Sequence, residues 1–306
     1  MNDSFLISVV VPTYKRSQWL YELLLSMEQQ TLPKNQFEVI VVDDETPDPE
    51  GQRKKELIES KKWEFSLTYL IQDKKGPAAA RNVGIRQAKA SWIAFTDDDA
   101  LPESRWLETF SKSLSNEALA FSGMTKSSHI ATLTEKYLDE VKHLSVHHIG
   151  EDGTLAYIIT VNACFSKKIL LDIGGFDETF PYPSGEDMDL GFRLRERGVS
   201  FKIVEDAVVY HRHRSSFLEM TKTWFIYGRG AYQCAKKNAK HLHKGVTSDH
   251  FNIVSKTIQI LASSITSTYK NARKLGLLKS LLFQFFEISN HIAYQMGRVT
   301  ERLFVR

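Results

Sequence analysis

Cysteine is scarce in this chain: its 306 residues contain two, Cys164 and Cys234, far apart in the sequence. They fit neither a zinc-ligand cluster nor a disulfide framework, and a reducing compartment suits them. Long apolar runs are missing too. No stretch reaches the ~18 uninterrupted apolar residues of a membrane span. The N-terminal run from Phe5 to Val11 stops at Pro12, and Asp3 stands where a signal peptide would carry basic residues. The expectation is a cytoplasmic chain, soluble or peripheral at the cytoplasmic face of a membrane. Phosphate-binding glycine patterns are also lacking. No Gly-x-x-x-x-Gly-Lys-Ser/Thr run is present, which excludes a P-loop kinase. Gly228-Arg229-Gly230 lacks the third glycine of a dinucleotide fingerprint and follows no clear strand.

What the chain does contain is ordinary globular chemistry. It is 42% hydrophobic and 25% charged, ample material for a buried core and far from the composition of a disordered chain. The formal net charge of +3 is an average over two unlike regions. Residues 216–306 hold 14 Lys+Arg and 4 Asp+Glu, a balance of +10, which leaves 1–215 at −7. The basic region points to an anionic surface. No nucleic-acid-binding module accompanies it, so a membrane is the expected surface and nucleic acid is not.

The first two-thirds alternate between strand and helix patterns. Leu6–Val11, Phe37–Val42, Leu67–Ile71 and Ser91–Thr96 read as strands. Between them, Ser17–Gln29 places Trp19, Leu20, Leu23, Leu24 and Met27 at helical spacing, and helices are also expected near 52–62 and over Ala78–Ala88. This alternation predicts an α/β chain with a doubly wound, mainly parallel sheet. In such sheets ligands bind outside the carboxyl ends of the strands, so the polar residues there carry the functional information. Further on, helices are expected near 103–114, over Lys167–Asp172 and over Asp187–Arg197. Strands are expected near Ala118–Ser122, Tyr157–Phe165, Phe201–Val204 and Ala207–Tyr210, with a variable stretch holding His129, His143, His147 and His148. Past residue 216 the pattern is helical. Phe251, Val254, Ile258, Leu261 and Ile265 follow i, i+3/i+4 spacing, as do Leu278, Leu281, Leu282, Phe285, Ile292 and Met296.

The strongest chemical feature is Asp97-Asp98-Asp99, directly after the apolar strand Trp92–Phe95. Three adjacent carboxylates repel one another unless a cation or solvent relieves them. On an extended segment Asp97 and Asp99 face the same way. That spacing suits a hard divalent cation, Mg²⁺ or Mn²⁺, shared with substrate phosphates. An isolated triplet is also compatible with a solvated acidic turn.

Taken with four other segments in order, the triplet makes the chain resemble a family 2 glycosyltransferase of the GT-A fold over about residues 6–215. The segments are Val10-Val11-Pro12-Thr13-Tyr14-Lys15-Arg16, Val41-Val42-Asp43-Asp44, Gly76-Pro77-Ala78-Ala79-Ala80-Arg81-Asn82-Val83-Gly84, Asp97-Asp98-Asp99, and Gly174-Gly175-Phe176-Asp177 with Gly185-Glu186-Asp187. The resemblance implies a catalytic domain over 1–215, with a donor-binding part (1–100) and an acceptor-side part (101–215), followed by a basic, amphipathic helical region over 216–306. It implies an inverting transferase that moves one sugar from a UDP- or other nucleotide-diphosphate sugar to a hydroxyl acceptor, a saccharide or a lipid-linked one, in surface polysaccharide, lipopolysaccharide or glycolipid assembly. The Gln-x-x-Arg-Trp motif of the processive synthases is absent, which favours single-sugar transfer. Residues 12–18 contain no glycine, unlike the N-terminal loop of sugar-nucleotide pyrophosphorylases.

The resemblance also distributes roles. Pro12, Thr13, Tyr14 and Arg16 border the nucleotide. Asp43 or Asp44 accepts a hydrogen bond from a base N–H, the other reading being an Asx turn that ends a strand. The family usually has Gly-Ser after this pair; here Glu45-Thr46 follows, so the base is left open. Arg81 and Asn82 lie beneath the nucleotide, Arg81 at a helix start that attracts phosphates. Asp97 and Asp98 bind the donor, and Asp97, Asp99 and His211 hold Mn²⁺ or Mg²⁺, with His213 as the rival imidazole. Asp187 is the general base. Glu186 and Trp106 are placed on the acceptor side, the other reading of Trp106 being a core or surface-packed tryptophan, which the sequence favours. Asn162 supports a sugar pocket or satisfies backbone groups. Arg212 and Arg214 bind a diphosphate or lie in a solvated basic loop. For the C-terminal helices two readings stand together: packing on the catalytic domain or in a homodimer, and attachment to an anionic membrane. The rival for the whole chain is a non-catalytic sugar-nucleotide-binding or interaction protein on the same fold.

Overall fold

The computed structural model of the chain describes residues 5–115, 118–144, 155, 157–239 and 276–304. The elements run β1 (Ile7–Thr13), α1 (Ser17–Glu28), β2 (Phe37–Asp43), α2 (Glu50–Glu59), β3 (Ser66–Ile71), α3 (Pro77–Gln87), β4 (Trp92–Phe95), β5 (Ala100–Pro102) and α4 (Trp106–Ser113). They continue β6 (Ala120–Ser127), α5 (Leu133–Glu140), a 3-10 turn (Thr160–Asn162), β7 (Ala163–Ser166), α6 (Lys167–Asp172), α7 (Glu186–Glu196), β8 (Phe201–His211), α8 (Phe217–Lys237) and α9 (Leu277–Phe304).

Eight strands form one sheet in the order β3-β2-β1-β4-β7-β6-β8-β5. The first four are mutually parallel. β7 then runs antiparallel to β4 and β6, β5 runs antiparallel to β8, and β6 and β8 are parallel. The parallel, doubly wound part is therefore the N-terminal half, and the remainder is mixed. Every residue of β1 and β2 is buried. Strands covered on both faces need no polar side, which is why these two read as unbroken apolar runs. Ile7, Val9 and Val11 face a core built with Leu20, Leu23, Leu24 and Met27 of α1 and Phe110 of α4. Val10, Ile40 and Val42 face the opposite core, with Ala78, Ala80 and Ile85 of α3 and Leu190 and Leu194 of α7. Gly84 lets α3 lie directly on β1: a Cβ there would stand 2.3 Å from Val10 Cγ1.

Three local outcomes differ from the pattern. The two strands expected over 201–210 are one strand, β8, whose pairing with β6 jumps from Gly123↔Val204 to Met124↔Val208. That is a bulge, which disrupts the ladder without ending the strand. The strand expected over Tyr157–Phe165 begins only at Ala163, after the 3-10 turn. Helix α5 falls in the stretch that showed no clear pattern. It is opened by a capping box, with Thr132 accepting from Glu135 N and Glu135 reaching back.

The chain divides into two compact units. The first comprises Met1–His129, Lys142–Pro181 and Glu186–His213 and holds the whole sheet. The second comprises Ile130–Val141, Tyr182–Gly185 and Arg214–Arg306, so two segments from inside the expected first region belong to it. Within this second unit α8 and α9 run side by side in the same direction. Phe217 stacks on Phe285 and Phe286, and Arg229 pairs with Glu301 at 2.6 Å. Their backbones touch at Gly228 and Gly297, where a Cβ would stand 1.9 Å from the carbonyl oxygens of Tyr294 and Phe225. Gly228 and Arg229 thus serve the pairing of these two helices, and Gly230 meets the Ser184 backbone. Helix α9 buries Phe283 and Phe286 together with the polar Ser280, Asn290, Gln295, Arg298 and Glu301, and it exposes Leu278, Leu281, Phe285, Ile292, Met296, Val299 and Leu303. The expected apolar positions Phe251, Val254, Ile258, Leu261 and Ile265, and His147 and His148, lie outside the described residues. Neither cysteine forms a disulfide.

Candidate active site

Because β1 and β2 are parallel and in register, Thr13 and Asp43 end side by side on one edge of the sheet. β4 ends on the same edge and delivers the acidic triplet. The triplet is not extended. The Ala100 amide donates to the Asp97 carbonyl at 3.1 Å, closing a turn. The alternation expected for Asp97 and Asp99 is therefore lost: Asp97 meets Arg81, while Asp98 and Asp99 share Arg16. Asp97 keeps 29% of its side-chain surface and pairs with Arg81 at 2.9 Å. Asp98 is buried and accepts from Thr13 Oγ1 at 2.8 Å and from Arg16 at 2.9 Å. Asp99 is buried beside the same Arg16 nitrogen at 2.7 Å and beside His211 Nε2 at 3.2 Å. Burial pushes the Asp98 carboxyl up to about 6, against the pull of Arg16. Burial opposes the charge on Arg16, yet Asp99 and Asp98 raise its pKa and hold it charged. Two arginines, Arg16 and Arg81, pair with the crowded carboxylates.

His211 is paired with Ala100 across β5 and β8, which fixes it against the turn. Its Nδ1 is buried without a hydrogen-bond partner. His213 instead meets Ser127 Oγ at 2.7 Å through Nε2. Among the described residues no three carboxylate, imidazole or thiolate groups converge as a metal cage. Asp99 and His211 do stand together as an oxygen–nitrogen pair. A hard cation held by one or two protein carboxylates and by substrate phosphates needs no more. Arg212, expected on a phosphate, forms an ion pair with Glu22 and lies 5.4 Å from the Trp19 ring centre.

Arg81 is held by the protein itself: its guanidinium is buried, with one nitrogen 2.9 Å from Glu186 Oε1 and the other 2.9 Å from Asp97 Oδ1. It therefore ties the acidic turn to the start of α7. Glu186 and Asp187 open that helix, and Asp187 Oδ1 accepts from the Met188 amide at 2.8 Å. Burial, and then Asp187, push the Glu186 carboxyl up to about 8 against the pull of Arg81. Burial also raises Asp187, while Arg81 opposes it. Glu186 Oε2 is buried without a partner. Burial thus raises both carboxyls of this adjacent pair, and Arg81 pulls against it in each.

Several other expected nucleotide residues are occupied by the protein itself. Asp43 accepts from Thr46 N and Oγ1 at 2.9 and 2.6 Å, from Tyr69 at 2.6 Å and from Lys54 at 3.0 Å. Asp44 ties β2 to the loop before α3, accepting from Gln72 at 2.8 Å, Lys75 N at 2.8 Å and Gly76 N at 3.0 Å. Asn82 clasps the Phe176 backbone in both directions at 2.8 Å and Glu178 at 3.0 Å. Pro12 and Thr13 are buried within β1. Tyr14 stays at the rim, with Lys74 donating to its hydroxyl at 2.9 Å. Trp106, expected near an acceptor, has no exposed surface. It packs edge-on against Phe110, and its indole donates to Asn162 Oδ1 at 2.9 Å. Asn162 donates in turn to the Met124 and Ala207 carbonyls, both at 2.8 Å. Both residues belong to the core that holds β6, β7 and β8.

Lys54 escaped the sequence reading. It is a fully buried lysine on α2, and its signal was Ile58 four residues on, the other buried position of that helix.

A family model described as "Glycosyl transferase family 2" matches residues 8–173, and one described as "Glycosyl transferase family group 2" matches 92–289. Glycosyltransferase AglE of Haloferax volcanii is 29% identical over 236 residues, 74% of this chain and 73% of that protein. Chondroitin synthase of Escherichia coli is 29% identical over 248 residues, 67% of this chain, and the match spans only 34% of that protein. Among solved structures, the mannosyltransferase PcManGT from Pyrobaculum calidifontis, in complex with GDP-Man and Mn²⁺, aligns with a TM-score of 0.67 at 18% identity, covering 99% of this chain and 89% of that one. TarS 1–349 of S. aureus, in complex with UDP, aligns with a TM-score of 0.54 at 18% identity, covering 98% and 92%. At these identities the structures establish a shared GT-A fold.

Proposed function

The chain belongs to glycosyl transferase family 2, and on that premise we propose that it moves one sugar from a nucleotide-diphosphate donor to a hydroxyl acceptor with inversion. The observation that carries this reading is the buried bridge Glu186–Arg81–Asp97, with 2.9 Å on each side. It joins the donor-side acidic turn to the helix start bearing Asp187, so that a diphosphate and a base act on one anomeric carbon.

Asp187 takes the proton from the acceptor hydroxyl. An ordinary aspartate is a weak base near ~3.9, and burial raises this one. Burial pushes the Glu186 carboxyl up to about 8, so Glu186 keeps its proton at neutral pH, and the role of base is assigned to Asp187. Arg81 holds Glu186 and Asp97 in place from below. Arg16, charged between Asp98 and Asp99, lies at the edge where the diphosphate binds. Asp99 and His211 would hold a Mn²⁺ or Mg²⁺ ion shared with the donor's phosphates, with the accessible Asp97 on the same turn; such an ion would offset charge on the departing nucleoside diphosphate. The transition state is oxocarbenium-like, as in glycoside hydrolysis.

The acceptor class we propose is a lipid-linked or membrane-surface saccharide, met at the cytoplasmic face. The exposed apolar stripe of α9 and the +10 balance of 216–306 support it. Among the described residues no helix is long and apolar enough to cross a membrane. Salt-sensitive binding to anionic liposomes supports this part; equal binding to neutral and anionic vesicles, or a homodimer that buries the stripe, overturns it.

The donor reading is tested with a panel of nucleotide sugars scored for Mn²⁺-dependent release of nucleoside diphosphate. Release from at least one donor, stopped by chelation, is expected. Tight donor binding with no turnover across the panel points instead to a sugar-nucleotide-binding protein.

A further inference from the structure

Lys54 has no part in the chemistry above, yet it is a charged side chain placed inside the donor half. Its side chain has no exposed surface. An ammonium offers three donors, and all three are used: Nζ reaches Asp43 Oδ2 at 3.0 Å, Thr46 Oγ1 at 2.7 Å and Thr13 Oγ1 at 3.1 Å. Burial lowers its pKa, while Asp43 raises it. A buried ion is expensive unless its hydrogen bonds are complete, and here they are.

The partners are not random polar groups. Thr13 Oγ1 donates onward to Asp98 Oδ2 at 2.8 Å, inside the acidic turn. Thr46 Oγ1 donates to Asp43 Oδ1 at 2.6 Å and accepts from the Lys15 amide at 2.8 Å. The two strand-end loops so joined carry three non-glycine residues in the left-handed region: Lys15 at φ 60°, Arg16 at 59° and Glu45 at 55°. Such conformations are unfavourable for residues with a Cβ and persist only when surrounding bonds over-determine them. One of the three, Arg16, is the residue that reaches Asp98 and Asp99.

We propose that Lys54 is a positioning residue for donor binding: it clamps loops 13–16 and 43–46 in their left-handed conformations and so sets Arg16 and the acidic turn for the nucleoside diphosphate. This rests on the donor site proposed above. Thr46 is the second member of the clamp, standing where the family pattern has serine.

Two variants release the clamp in different ways. Lys54→Met keeps the stem and removes the ammonium; Thr46→Val keeps the Lys54–Asp43 pair and removes the hydroxyl hub. Ile58→Ala, on the same buried side of α2, reports a merely structural loss. The full chain is measured by amide hydrogen exchange without ligand, by calorimetry with UDP and with GDP in Mn²⁺, and by donor KM and kcat. In both clamp variants, exchange over 13–16, 43–46 and 97–99 rises about tenfold or more. Nucleoside diphosphate affinity falls about tenfold, and KM changes more than kcat, as expected for one lost hydrogen-bond hub. Ile58→Ala lowers Tm and leaves these three readouts in place. Exchange and affinity matching wild type, or shifting no more than in Ile58→Ala, overturn the proposal. If the wild type binds neither UDP nor GDP, the donor reading fails, and exchange alone decides whether the clamp exists.

Discussion

Glu186→Gln isolates the charge state of the pair at the start of α7. Gln keeps the shape and the carbonyl that accepts from Arg81 at 2.9 Å, and it cannot ionise. The wild-type carboxyl, held up to about 8 in the folded chain, takes up a proton on folding wherever the unfolded chain has lost it. Against an unfolded pKa of ~4.3, that costs the folded state about 2 to 4 kcal/mol at pH 7. The sign follows directly. A folded pKa above the unfolded one gives stability that is complete below ~4.3 and is lost as pH rises toward 8. Gln avoids the loss. Glu186→Gln is therefore expected to match wild type near pH 4.5 and to exceed it increasingly from pH 5 to 8, by roughly 5 °C in Tm at pH 7.5. Thermal unfolding from pH 4.5 to 8.5 reads this. A variant less stable than wild type at pH 7.5, or a Tm difference independent of pH, refutes the assignment of a neutral Glu186.

Two further outcomes follow from packing and partners. Trp106→Phe keeps the aromatic fill and leaves Asn162 Oδ1 buried without its donor; denaturant unfolding is expected to show a loss of about 1 to 3 kcal/mol, with acceptor KM unchanged. Gly84→Ala drives a Cβ to within 2.3 Å of Val10 Cγ1; it should cost about 1 to 3 kcal/mol and weaken nucleotide binding, because α3 carries Arg81.

Much of the donor half was legible because its physics is local. β1 and β2 are buried on both faces, so they read as apolar runs, and α1 shows its one buried stripe as Leu20, Leu23, Leu24 and Met27. The acidic triplet was visible, but its geometry was not: alternation presumes an extended chain, and the Asp97–Ala100 turn removes it. A polar residue at a strand end signals a need for a partner without saying whether that partner is a ligand or the protein. Asp43, Asn82 and Arg81 all found theirs inside the fold, some of them as far as 26, 94 and 105 residues away in sequence. Lys54 was hidden for a related reason, since a lysine in a charged helix is ordinarily placed in solvent. The α5 cap, Thr132-Leu133-Thr134-Glu135, was readable and carried the helix start that the pattern missed.

The central claim is that Asp187 is the base of a sugar transfer from a nucleotide-diphosphate donor. The most direct measurement compares Asp187→Asn with wild type for nucleoside diphosphate release and for UDP or GDP affinity on the same preparations. Turnover is predicted to fall by about 10² to 10⁴ while affinity stays within about twofold. An Asp187→Asn protein that turns over like wild type, with the same nucleotide affinity, contradicts the account.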